Sequence, residues 1–176
     1  MKARKISAAI AVTALGLSGC SSSPSPPAKT SSFALPSAAA AALAPAIYMQ
    51  LASTSSLFAI RASELAVQRA SSGRVRETAR AIITDQGGVG SQLSYAGRRV
   101  DLLPTAALTD AQAADLERLR TTGDFDSEYR RIVGGVLAQS LQAHQAFARA
   151  GTSPTLRPVA QMAAPVTKRN LDAVRR

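Results

Sequence analysis

The chain has one Cys, one His and no Trp, and only four Phe and three Tyr among its 176 residues. One Cys excludes a disulfide framework or a multi-cysteine metal site within one chain. One His excludes a poly-histidine metal centre and leaves any histidine chemistry to His144. Aromatics make up 4% of a chain that is 46% hydrophobic, so the core must be built from Ala, Leu, Val and Ile. That composition suits closely packed helices better than a β-sandwich. Acidic groups are also scarce: 11 Asp and Glu stand against 21 Lys and Arg, a formal charge of +10. No apolar run reaches the roughly 20 residues that a membrane-spanning helix needs.

What is present begins with an address. Lys2, Arg4 and Lys5 precede an uncharged apolar run over residues 6–17, and Leu17-Ser18-Gly19-Cys20 follows at once. A basic start, a short apolar stretch and a small-residue site read as a secretory signal peptide over residues 1–19. The last four residues resemble the bacterial lipobox, which implies cleavage before Cys20 and acylation of that cysteine, palmitate being the expected type of chain. Acyl chains contribute about 0.8 kcal/mol per buried CH₂, so several anchor a protein without a transmembrane helix. Ser21 after the cysteine, by resemblance to sorted lipoproteins, points to the outer membrane facing the periplasm. Cleavage would remove the three cationic residues named above and lower the formal charge from +10 to +7.

Residues 20–44 are then a lipidated cysteine followed by a Ser/Pro/Ala tether, which has little to bury and is broken by proline. Residues 45–176 form the expected folded domain. Tyr48, Leu51, Ser55, Phe58, Ala62 and Leu65 recur at helical steps, as do Val75, Ala79, Ile82, Gln86, Leu93 and Val100. A loop holding Pro104 follows, and Thr109 with Gln112 has capping-box spacing for a short helix. Tyr129, Val133, Leu137, Leu141, His144 and Ala148 mark a third long helix, ending at Gly151. Ser153-Pro154 reads as an N-cap with proline at N1 of the last one, whose stripe is Leu156, Val159, Ala163, Val166, Asn170 and Val174. These lengths predict an all-α fold: an antiparallel four-helix bundle with a short extra helix in the middle connection.

Motifs for chemistry are sparse. Gln86-Gly87-Gly88-Val89-Gly90 lacks the Gly-Lys-Ser/Thr end of a phosphate loop and follows no strand, so it reads as a helix weakened by three glycines. Gly134-Gly135 is a second such spot, where missing side chains would let two helix backbones approach. Glu64, Glu77 and Asp85 do not make a di-metal centre, which needs Glu-x-x-His motifs that this chain lacks. His144, on or beside an apolar stripe, is a candidate polar site whose bland use is a hydrogen bond in the core. Basic pairs such as Arg98-Arg99, Arg130-Arg131 and Arg175-Arg176 have no interleaved stacking aromatics, which argues against nucleic acid. They suit anionic envelope components instead.

A family resemblance joins these pieces. The stretches 56–66 (SLFAIRASELA), 81–86 (AIITDQ) and 125–129 (FDSEY), with Gly151, Leu156-Arg157, Pro165 and Asn170-Leu171, resemble the bacterial family known as domain of unknown function 4142. The resemblance covers residues 47–174 and implies a ferritin-like helical bundle of a predicted outer membrane protein. Members commonly carry Glu where this chain has Ala59, and His where it has Gln86, Leu137 and Asn170. The resemblance thus implies that the family's inward polar centre has been replaced here, with Gln86 and Asn170 free to bond each other across helices. The resulting expectation is an envelope structural or interaction module with no catalytic residue, no cofactor and no metal. Its partners would be membrane lipid, through acylated Cys20, and anionic envelope components. Two rival expectations are a metal-binding ferritin-like protein or enzyme, and a bundle that holds a small apolar ligand beneath its glycine-rich positions.

Overall fold

The structure is a computed structural model and describes residues 43–176. The signal peptide, Cys20 and nearly all of the tether lie outside the described residues. Five helices are present and, among the described residues, no strand: α1 (Pro45–Arg69), α2 (Gly73–Arg98), α3 (Asp110–Thr121), α4 (Phe125–Ala150) and α5 (Arg157–Arg175). No helix among the described residues is long and apolar enough to cross a membrane.

Local chemistry sets the boundaries. Pro45 opens α1, where its missing N–H costs no hydrogen bond. Ser72 caps α2 by accepting from the Val75 N–H, and Thr109 and Gln112 form the capping box that opens α3. Asp124 caps α4 through the Ser127 N–H. The carboxylate of Asp126 accepts from the Ser71 and Ser72 N–H groups at 3.1 and 2.8 Å and from the Ser71 hydroxyl at 2.7 Å, which ties the α1–α2 turn to α4. Arg69 donates to the carbonyls of Leu119, Arg120 and Thr122, closing the otherwise unpaired end of α3.

The start of α5 differs from the sequence expectation. Ser153 does cap a turn, accepting from the Leu156 N–H, but residues 154–156 form only that turn and the α-helix begins at Arg157. Pro158 is the reason: it has no N–H to give the carbonyl of residue 154, so a regular ladder cannot start at Pro154.

The four long helices close into a ring in which α1 packs on α2 and α4, and α5 packs on the same two helices. Every neighbouring pair is antiparallel. The start of α1 meets the ends of α2 and α4 in one apolar cluster, and its end meets their starts in another. α2 and α4 therefore run the same way on a diagonal, joined by one long crossover that includes α3. Leu102 on this connection packs into one cluster and Leu108 into the other, so it runs along the bundle. The Thr105 N–H donates to Ser53 Oγ at 3.0 Å on α1. This cover explains why Ser53 is buried on a helix that would otherwise show one face to water.

The glycines also correct an expectation. A Cβ at Gly135, Gly87, Gly88 or Gly90 would meet nothing within 4 Å, and at Gly134 only an ordinary contact with Val174. No close backbone approach is served at any of them. Gly97 is a position where one is, because a Cβ there would sit 2.1 Å from the Leu102 carbonyl oxygen. The Leu102 N–H bonds back to the Gly97 carbonyl at 3.0 Å and Asp101 takes φ 54°, a left-handed helix ending. Replacing Gly87, Gly88 and Gly90 together by alanine is expected to stabilise the protein by about 2 kcal/mol, since each glycine costs a helix roughly 0.5–1 kcal/mol. Thermal unfolding measures this as a Tm rise of about 6 °C. A drop in Tm would mean that the glycines serve a contact.

Candidate functional site

The two apolar clusters are separated by a polar layer at the middle of the bundle. On α1 the lower cluster begins at Phe58 and the upper ends at Ala52; on α2 they part between Ile82 and Val89. Every long helix places polar groups in this gap: Ser55 and Ser56, Gln86, Ser140 and His144, Thr167 and Asn170, all buried. Such groups are expensive to bury unless they bond one another.

One chain of bonds links three helices. Ser56 Oγ donates to Gln86 Oε1 at 3.0 Å, Gln86 Nε2 donates to Asn170 Oδ1 at 2.9 Å, and Asn170 Nδ2 donates to Asp85 Oδ2 at 2.7 Å. Gln86 and Asn170 thus meet as the sequence reading anticipated. Asp85 sits half-buried at the rim, with Arg169 at 3.8 Å. A second set surrounds His144, which is 0% exposed. The Tyr48 hydroxyl lies 3.1 Å from its Nδ1 and Ser140 Oγ lies 3.3 Å from its Nε2. In the neutral ring one nitrogen donates and the other accepts, and both hydroxyls can play either part. Burial pushes the His144 pKa down to about 4 and raises that of Tyr48 well above its ordinary value. The Tyr48 ring also stacks on Phe147 at 4.1 Å. Further down, Tyr129 shares a 2.8 Å hydrogen bond with Ser63 while burial pushes its phenol up to about 12.

The other two family-type positions do something else. Ala59 and Leu137 are buried in the lower apolar cluster and contribute no donor atom. The four positions therefore comprise two amides bonded to each other and two hydrocarbon side chains. That set does not fit a transition metal, which takes imidazole, carboxylate or thiolate ligands. Among the described residues no three His, Cys, Asp or Glu side chains gather as a metal site. Glu64 and Glu77 are exposed, and Asp85 is the only one of the three suggested carboxylates tied to the polar layer. Thr167 Oγ1 is the one buried side-chain polar atom without a partner among the described residues. Beside Gly87, Gly88 and Gly90 the side chains of Gln86 and Val89 are buried, and Gly88 lines a shallow groove between α2 and α5.

Sequence reasoning missed Ser56, Ser140 and Thr167, because small hydroxyl residues at inward positions look like ordinary helix filling. Their signal was available in register: each lies on the same inward face as a flagged apolar or polar neighbour. Tyr48 was placed on the core face, but nothing local marks it as the partner of a residue 96 positions away.

A family model described as "Domain of unknown function (DUF4142)" matches residues 31–176. No curated protein and no solved structure matches the chain.

Proposed function

The chain belongs to the DUF4142 family, and from that premise we propose that it is a lipid-anchored, non-catalytic interaction module of the bacterial envelope, held through Cys20 at the outer membrane and facing the periplasm. The observation that carries this reading is the polar layer, in which every buried side-chain polar atom among the described residues except Thr167 Oγ1 has a partner. Ser56, Gln86, Asn170 and Asp85 spend their hydrogen bonds on one another, and both nitrogens of His144 are engaged. A buried imidazole held neutral by desolvation and enclosed by Tyr48 and Ser140 has no route to a substrate proton. The interior is thus a structural element, which leaves the basic exterior as the working surface. The single long crossover supports the ferritin-like part of the reading, since that connectivity is shared by ferritin-like bundles.

Two measurements test it. Cys20→Ala is expected to move the protein from the membrane fraction to the soluble periplasmic one; unchanged fractionation removes the anchor. Elemental analysis of the purified protein is expected to give iron, manganese and zinc far below stoichiometric amounts. A stoichiometric metal would reverse the ranking in favour of a metal protein.

A further inference from the structure

Seven of the sixteen described arginines have structural work. Arg69 and Arg76 bond backbone carbonyls, while Arg118, Arg120, Arg131 and Arg169 face carboxylates. Arg99 lies over the Tyr95 ring. Arg74, Arg130 and Arg176 are among the nine that do none of these, and no carboxylate among the described residues makes a salt bridge with them. They come from the start of α2, the first turns of α4 and the end of the chain, yet they line one place. Arg74 and Arg176 flank a cleft of about 420 Å³ between α2 and α5, and Arg130 borders the small hollow that continues it. Thr78 lines both spaces with a hydroxyl that makes no hydrogen bond among the described residues. The hollow is backed by Val75, Tyr129 and Val174, all buried.

Three arginines that line one hollow and make no salt bridge repel one another, and an arrangement of this kind is relieved by an anion. Each presents a planar fork that matches the oxygens of a phosphate, and three forks from three helices suit a group with several charged oxygens better than one carboxylate. The first turn of α2 adds the positive end of its helix dipole on the Arg74 side. Opposing charges are few. Glu77 lines the outer cleft. Asp126 is within Coulombic reach of Arg130 but its oxygens are taken by Ser71 and Ser72. Asp172, which feels Arg175 and Arg176, is bonded to Lys168.

We propose that this cleft together with the hollow beside it is a binding site for a phosphate-bearing ligand, held by Arg74, Arg176 and the Thr78 hydroxyl in the cleft and by Arg130 at the hollow. The proposal rests on reading the exterior as the working surface, and does not depend on the Cys20 anchor. The phosphate could be that of a soluble diphosphate or of a lipid headgroup, and the same chemistry serves both. Full-length Cys20→Ala protein separates them without interference from an acyl chain. It is titrated with inorganic pyrophosphate by calorimetry, and sedimented with phosphatidylcholine vesicles with and without phosphatidylglycerol.

Saturable pyrophosphate binding is expected, weakened about tenfold by each of Arg74→Gln, Arg130→Gln and Arg176→Gln, the value of one charge-assisted hydrogen bond. Glu77→Gln is expected to tighten it several-fold. Arg61→Gln and Arg149→Gln, at exposed positions away from the cleft, serve as charge-matched controls and should leave it unchanged. Binding to anionic vesicles only, lost through the same three substitutions, identifies the lipid headgroup and upholds the site. Binding that the two controls weaken equally, or no binding in either arm, overturns it. Fractionation of the wild-type protein reports on the anchor separately, so the two readings fail independently.

Discussion

Gln86→Leu destabilises the protein by about 3 kcal/mol, even though leucine fills nearly the same space. The cost comes from what is left behind. Ser56 Oγ loses its acceptor and Asn170 Oδ1 loses its donor, and both side chains are almost wholly buried. An orphaned polar group in such a place costs about 1–3 kcal/mol, whereas removing both members of a pair can be close to neutral. Asn170→Leu combined with Gln86→Leu is therefore less damaging than the sum of the single changes, with a coupling of about 1–2 kcal/mol. Urea unfolding of the four proteins of this cycle measures it. Strict additivity, or a Gln86→Leu protein as stable as wild type, would show that the amide bridge contributes nothing.

The second large effect is a loss of stability in mild acid. His144 has its pKa lowered by burial from 6.5 to about 4 in the folded protein. The unfolded chain takes up the proton as pH falls through 6.5, and the folded one resists until about 4, so the unfolded state binds more protons between these values. Stability is complete above pH 6.5 and declines as pH falls, and the loss levels off below about 4. The difference of roughly 2.5 pH units corresponds to about 3 kcal/mol in all. Carboxylates with lowered pKa, Asp126, Glu128 and Asp172, add their own losses only at lower pH, near and below the ordinary carboxylate range. Denaturant unfolding between pH 7 and pH 5.5 thus isolates the imidazole. His144→Gln is expected to flatten that slope whatever its own stability at neutral pH; a wild-type slope in the variant would assign the acid sensitivity to another group.

These effects show where sequence reasoning succeeds and where it stops. The capping box at Thr109 and Gln112 and the loop at Pro104 depend on residues within a turn of one another, and each lies where the sequence placed it. The Ser153-Pro154 start is three residues early because Pro158 breaks a ladder that cap chemistry alone does not consider. The glycines were assigned a packing role that no neighbour uses, since the open space beside a helix is a property of the helices around it. The bond between Gln86 and Asn170 was legible from the family positions and their inward register; its extension to Ser56 and Asp85 was not.

By itself, the sequence determined the all-α class, the helix limits to within a few residues and the inward face of each helix. Hydrogen bonds to i−4, caps and apolar periodicity act between near neighbours, so contiguous residues encode them. Only the tertiary structure decided that Tyr48 encloses His144 across 96 positions, and that Arg74, Arg130 and Arg176 line one hollow. Such meetings depend on the rotation and axial register of four helices at once. Those are set by the packing of both apolar clusters together, which no local segment contains.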